Sequence, residues 1–401
     1  MKVMINRTLA LLQKTGIGHY TGQLIRCLTA DPANNEVVLY PGAGTKLGVN
    51  AWTSLSRAVR KLLPAVKRGS KSGGGGNTNR GDWRYNLSRV LQDWHFRAFA
   101  NGDFDVYHEP NYIAFPCSKP TVVTVHDLSL LLHPEWHPAT RVKHFARNFL
   151  PSLERVAHVI TISEFSRQEI LRNLPLAAEQ VSCIYLGVRP DLGPMVAWRV
   201  NPVLHRLGLP DSYLLHVGTL EPRKNLMLLL RAYTDLPAHV RERCPLVLAG
   251  GWGWNTQELA EFFHSEARHK GVLHLGYIRD EDQAAVYNGA RALVFPSHYE
   301  GFGLPPIEMM ACGGAVLAST AGAVVETTGG KAHLLDPLDQ GVWREAMQRV
   351  ILDDDWWQQL RHGVIELARH YTWERCAADT WQVYRRVLGG GAAKRAATRA
   401  A

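Results

Sequence analysis

Two glutamates, Glu300 and Glu308, close the ends of the run EGFGLPPIE. An apolar strand, Leu293-Val294-Phe295, leads into it and breaks at Pro296. The pair Pro305-Pro306 opens a helix, where a missing N–H has no intrahelical partner to lose. Strand, glycine-bearing loop and helix start suit an anion, because free N–H groups and the positive end of the helix dipole face it. Glu300 falls on the loop and Glu308 in the first helical turn, where a carboxylate can accept hydrogen bonds from a sugar diol beside that anion. A lone glutamate there is more often just a carboxylate favoured by the dipole. The paired Glu300, with Gly301 and Gly303 between, argues for a site.

The whole run Glu300-Gly301-Phe302-Gly303-Leu304-Pro305-Pro306-Ile307-Glu308 resembles the two-glutamate signature of retaining glycosyltransferases of family 4, which have the GT-B fold. The resemblance implies that Glu300 contacts a donor sugar and Glu308 holds the ribose of a nucleotide. Residues 301–304 then line the nucleotide-sugar. Other segments agree. In GTLEPRKNL, Arg223 and Lys224 precede a helix. A guanidinium fork and an ammonium together neutralise a diphosphate, although by itself such a pair is as often a solvated surface feature. This segment resembles the family's phosphate segment, with Thr219 where many relatives carry arginine. His126 ends the strand of TVVTVHD and matches the family's V-x-H-D, whose histidine lies at the donor sugar; His108 in DVYHEP is a weaker counterpart. Gly16 and Gly18, after the first strand, fit as a loop where backbone approaches the sugar diphosphate. Ile278, in GYIR, resembles the segment that cradles the nucleotide base. Ala315 and Glu326 stand in less regular versions of family motifs, and neither removes a charged site residue.

These residues need strands to position them. Short apolar strands alternating with helices run from Lys2 to Val188 and again from Tyr213 to Ser319, the pattern of parallel sheets covered on both faces. The expected architecture is therefore α/β, with two Rossmann-like domains facing a central cleft (GT-B) and a C-terminal helix packing back on the first domain. The first domain is placed at 1–195, binding the acceptor, and the second at 205–370, binding the nucleotide-sugar. The Pro- and Gly-rich stretch 189–212 lies between them. The returning helix is 371–388, and 389–401 is expected as a disordered tail.

The chain has 401 residues and a formal net charge of +9. Between Lys46 and Arg97 stand eleven basic and two acidic residues, so that segment carries the whole excess. Trp52, Leu55, Val59 and Leu62 recur there at helical spacing among Arg57, Arg60, Lys61, Lys67 and Arg68. This is the pattern of a helix lying on anionic lipid, and equally of a surface helix packed on its own domain. A glycine-rich insertion, about 46–82 with its basic part, is expected to be flexible. The six cysteines lack zinc or redox spacing and read as reduced thiols. No apolar run is long enough to span a membrane. The expected place is the cytoplasm, at the inner face of the cytoplasmic membrane.

Three function classes compete. A nucleic-acid-binding protein is suggested only by the basic segment, and a dinucleotide oxidoreductase only by the alternating strands, since no complete glycine fingerprint appears. The glycosyltransferase reading unites Glu300, Glu308, Arg223, Lys224 and His126. It implies a nucleotide-sugar donor as substrate; the GTLEPRKN wording resembles bacterial mannosyl- and rhamnosyltransferases of surface polysaccharide assembly, which makes GDP-mannose the best guess. It implies a saccharide or polyprenyl-diphosphate-linked acceptor, no cofactor and no metal. The resemblance also implies a front-face displacement, in which the leaving phosphate assists deprotonation of the acceptor.

Overall fold

A strand covered by helices on both faces shows no polar side, so its sequence is apolar throughout. The computed structural model describes residues 1–12, 16–30, 35–41, 96–98 and 102–400, with the side chains of all but Leu12 and 390–400. Six strands, β1 (Lys2–Asn6), β2 (Glu36–Tyr40), β3 (Val106–Glu109), β4 (Thr121–Thr124), β5 (His158–Thr161) and β6 (Val181–Cys183), form one sheet ordered β2-β1-β3-β4-β5-β6. Six more form the other: β7 (Tyr213–Val217), β8 (Leu246–Ala249), β9 (Val272–Gly276), β10 (Ala290–Phe295), β11 (Ala315–Ser319) and β12 (His333–Leu335), ordered β12-β11-β10-β7-β8-β9. Neighbours are parallel, as in Val3 opposite Val106 and Leu293 opposite Val316. Strands β3, β4, β5, β8 and β11 are buried at every position.

The second sheet sets up the chemistry. From β7 the chain moves outward through β8 and β9, then returns to β10 on the other side of β7. At such a reversal the loops leaving the two adjacent strands diverge and leave room for a ligand beyond their carboxyl ends. Gly218–Asn225 leaves β7, and Pro296–Gly303 leaves β10. Arg223, Lys224 and Glu300 thus come from the two loops flanking this reversal. Beneath them Leu226, Leu229, Leu230, Leu246, Val294, Leu317 and Trp343 are buried in one apolar core.

Packing divides the chain into two units, Met1–Thr124 with Lys143–Val159 and Trp381–Ala401, and Val125–Val142 with Ile160–Thr380. Residues 125–142 and 160–204 thus group with the unit that holds the second sheet. The physical reasons are specific: the Trp254 indole N–H donates to the Trp136 carbonyl at 2.7 Å, and Glu326 accepts from the backbone of Glu164 and Phe165. Strand β6 ends at Cys183, short of Val188, whose N–H bonds to the Tyr371 carbonyl at 2.9 Å. There the two backbones touch so closely that a Cβ on Gly187 would lie 2.2 Å from Trp373 N. The final helix, Trp373–Ala400, runs on past 388. From Trp381 onward it belongs to the first unit, where the Tyr384 hydroxyl meets His108 Nδ1 at 2.6 Å. The basic residues between Lys46 and Asp93, with the stripe from Trp52 to Leu62, lie outside the described residues.

Candidate active site

The loop after β7 closes with a short turn, Pro222–Lys224, and Asn225 in the left-handed region at φ 54°. Asparagine tolerates that conformation better than most side chains. Its amide Nδ2 donates to the Pro296 carbonyl at 3.2 Å and the Pro337 carbonyl at 2.7 Å, tying the turn to the end of β10. The His298 N–H adds a bond to the Arg223 carbonyl at 2.9 Å. These ties fix both cations against Glu300. Lys224 Nζ stands 2.5 Å from Glu300 Oε1, and Arg223 NH1 2.9 Å from Oε2. Arg223 also grips Glu221 Oε1 through NH2 at 2.9 Å. Both sequence-predicted cations are therefore engaged by carboxylates. Glu221, two residues before Arg223, is a partner that the sequence reading missed although it stood in the same motif.

Burial acts most strongly on Glu300 and would raise its pKa, but the combined attraction of Arg223 and Lys224 overcomes it and holds the carboxyl at about 2. Burial likewise works against charge on Arg223, and Glu300, Glu221 and Asp127 outweigh it, raising the guanidinium pKa. Glu300 is thus a fixed anion at any physiological pH.

The loop that carries Glu300 has its peptide planes set from outside. Tyr299 O accepts from Arg223 NH1 (3.0 Å), Glu300 O from Ala323 N (2.9 Å), Gly301 O from Ser163 Oγ (2.7 Å) and Phe302 O from Thr327 Oγ1 (2.9 Å). With each carbonyl tied, the N–H groups of Gly301, Phe302 and Gly303 donate to no described residue. Three successive open N–H groups at the start of the helix Leu304–Ala311, beside Arg223 and Lys224, make a receptor for an anion. Gly301 is required here: a Cβ on it would lie 2.3 Å from the His126 carbonyl oxygen. Gly303 takes φ 83° ahead of the helix.

Glu308 sits in the second turn of that helix and not the first, because the helix already starts at Leu304. Its Oε2 accepts from the Tyr287 hydroxyl at 2.7 Å and from Gln283 Nε2 at 3.3 Å, both on the helix Asp280–Gly289. Oε1 accepts from no described residue. Burial raises the pKa of Glu308, with Tyr287 and Arg189 opposing. A buried, half-satisfied carboxylate is a receptor for donors such as hydroxyls.

Known proteins resemble this chain over most of its length. The profile described as "Glycosyl transferases group 1" matches residues 205–371, and that of "Glycosyltransferase Family 4" matches 15–192. The chain is 32% identical over 382 residues to the O-antigen chain mannosyltransferase B of Escherichia coli, covering 92% of this chain and 96% of that one. This chain belongs to glycosyltransferase family 4. A serotype-specific mannosyltransferase of Escherichia coli is 29% identical over 275 residues, 67% of this chain and 34% of that one. Among solved structures, sucrose-phosphate synthase from Thermosynechococcus elongatus superposes with a TM-score of 0.72 at 22% identity, over 97% of this chain and all of that one. Anabaena HepE in complex with UDP and glucose gives 0.67 at 18% identity, over 96% of this chain and all of that one. These neighbours establish the GT-B fold.

The remaining expected residues of this glycosyltransferase divide into two groups. His126 is buried, and its carbonyl abuts Gly301, so it stands beside the Glu300 loop. Ile278, half-buried, follows β9 and Gly276 at the edge of the second sheet. Gly16 and Gly18 belong to the other unit and form no loop; they lie in the first turn of the helix Gly16–Thr29, Gly18 being buried. His108 is a satisfied core histidine, with Tyr384 on one ring nitrogen and Thr124 Oγ1 on the other at 2.9 Å. Among the described residues no cluster of three or more His, Cys, Asp or Glu has metal-site geometry, and no helix is long and apolar enough to cross a membrane. Sequence reading did not find Tyr287, Gln283, Ser163 or Thr327. Each reaches its partner from another element, and nothing in its local sequence marks it.

Proposed function

We propose that this family 4 enzyme transfers a sugar from a nucleotide diphosphate donor to a saccharide or polyprenyl-diphosphate-linked acceptor in polysaccharide biosynthesis, retaining the anomeric configuration. The observation that carries it is the run of open N–H groups at Gly301, Phe302 and Gly303 beside Arg223 and Lys224. Donors held at the place where a leaving diphosphate gains charge lower the barrier without reorganising. Glu300 then accepts from a sugar hydroxyl and Glu308 from the ribose, with Ile278 under the base. His126, whose carbonyl abuts Gly301, stands at the donor sugar. Deprotonation of the acceptor falls to the leaving phosphate, in a front-face displacement. Arg223, Lys224 and the backbone supply the charge stabilisation, so EDTA is expected to leave the rate unchanged.

The mannosyltransferase names among the relatives make GDP-mannose the first donor to try. The test is a panel of nucleotide sugars titrated calorimetrically, with transfer to a lipid-diphosphate saccharide followed by NMR of the new linkage. One donor bound well ahead of the rest and an α-linkage from an α-donor is the expected result. A product of opposite configuration overturns retention, and binding of oligonucleotide or NAD in preference to every nucleotide sugar overturns the assignment.

A further inference from the structure

His216, the fourth residue of β7, has no part in the chemistry above, yet it sits directly behind Lys224. Its Nδ1 lies 3.1 Å from the Val294 carbonyl. A carbonyl only accepts, so Nδ1 carries the proton and Nε2 is a bare lone pair. The ring is fully buried and stacks near-parallel to Phe295, with centroids 6.0 Å apart. Nε2 has no hydrogen-bond partner there. Leaving a buried acceptor unmade is costly, so it calls for an explanation.

The opposite deficit lies across a small gap. Lys224 has three N–H donors, one of which serves Glu300, while the ammonium also stands 5.0 Å from the centre of the Phe295 ring. No other described residue accepts from it. Gly218 leaves the space between: the point its Cβ would occupy is 3.6 Å from His216 Nε2, 3.5 Å from Lys224 Cε and 3.9 Å from Lys224 Nζ. An uncommitted donor and an uncommitted acceptor are thus turned toward one gap.

We propose that His216 is a positioning residue for Lys224: when a diphosphate draws Lys224 away from Glu300, the ammonium takes Nε2 as its second acceptor and is held facing the ligand. A neutral imidazole suits this task better than a carboxylate, since it fixes the ammonium without cancelling its charge. Burial first, and then the nearby Lys224, hold the His216 pKa down at about 4, so the ring stays neutral in the working range. The inference rests on the reading of Arg223 and Lys224 as the diphosphate site.

The probe is inorganic pyrophosphate, titrated calorimetrically into the full chain, because it reports the cations independently of base and sugar. His216→Phe keeps the ring and its stacking but removes the acceptor, while His216→Gln places an oxygen near the position of Nε2. His216→Phe is expected to bind pyrophosphate about tenfold more weakly, the worth of one charge-assisted bond, with His216→Gln restoring most of it. In a Lys224→Gln background, His216→Phe should cause no further loss, which a purely structural role would not produce. Equal affinity of His216→Phe and the parent, or full additivity with Lys224→Gln, overturns the role of His216 alone. Failure of the parent chain to bind pyrophosphate overturns the diphosphate site, and this inference with it.

Discussion

The Tyr287 hydroxyl donates to Glu308 Oε2 at 2.7 Å and leaves Oε1 open. The carboxylate is buried, and that burial raises its pKa above the ordinary value. A group with a raised folded pKa gives stability that is present at low pH and lost as pH rises through that value. At neutral pH the ionised Glu308 is therefore a cost to the ligand-free protein.

Glu308→Gln should accordingly raise the melting temperature at pH 7 while weakening nucleotide binding. The lost charge-assisted bonds to a ribose diol are worth about 1.5–3 kcal/mol. Calorimetry with the free nucleoside diphosphate and a thermal melt check both halves. Unchanged affinity would reduce Glu308 to a buried helix residue held by Tyr287.

For Glu300 the sign is opposite. Its pKa falls from 4.5 to about 2, so its stabilisation is complete above 4.5 and lost as pH falls toward 2. A shift of that size corresponds to about 3 kcal/mol. Thermal melts of the parent should drop through this window, and those of Glu300→Gln should drop less steeply from a lower start. Removing one partner of a buried cluster costs about 3–5 kcal/mol, because Arg223 and Lys224 lose an acceptor. Turnover should fall by about 100-fold or more, as when other buried electrostatic contacts to a reacting group are cut. A variant as stable as the parent at pH 7 would contradict the ion cluster.

What the chain disclosed before folding was whatever is local. Glu300, Gly301 and the Pro305-Pro306 helix start stand in one run, and the strands around them are continuous apolar segments. Arg223 and Lys224 were legible as cations before a helix, but their engagement by Glu300 was not, since it depends on the return of the chain from β9 to β10 beside β7. Tyr287 and Ser163 were invisible for the same reason: a hydroxyl carries no mark of the partner that tertiary packing will bring to it. Glu308 was misplaced by one turn because the helix starts at Leu304, one residue before the proline pair. Gly16 and Gly18 were read as a loop, and glycine's tolerance of left-handed backbone does not prevent it from starting a helix.

The basic segment offers a prediction from sequence alone. Arg57, Arg60, Lys61, Lys67 and Arg68 surround the stripe of Trp52, Leu55, Val59 and Leu62. Each cation near an anionic bilayer contributes about 1 kcal/mol, within a Debye length. The chain should co-sediment with phosphatidylserine vesicles at low salt, less at high salt, and little with neutral vesicles. Replacing the five basic residues by Gln should abolish this and spare nucleotide-sugar binding. Sedimentation that survives the replacement would assign the attraction elsewhere.

Gly301 gives the sharpest steric test of the site. Its missing side chain is where the His126 carbonyl oxygen sits, and a Cβ would also lie 2.9 Å from Asp127 Cβ. Neither neighbour is the free end of a flexible chain, so Gly301→Ala must push the loop away from 126–127. Overpacking of this kind costs about 1–3 kcal/mol. The displaced loop would turn the N–H groups of Phe302 and Gly303 off their aim and stretch the 2.7 Å bond from Ser163 to the Gly301 carbonyl. Turnover should therefore fall further than stability does, with Glu308 still able to hold the nucleotide. Measuring kcat, nucleoside diphosphate affinity and melting temperature on one preparation separates these effects. If Gly301→Ala keeps its turnover while losing stability, the loop is a packing element and its open N–H groups do not meet the donor.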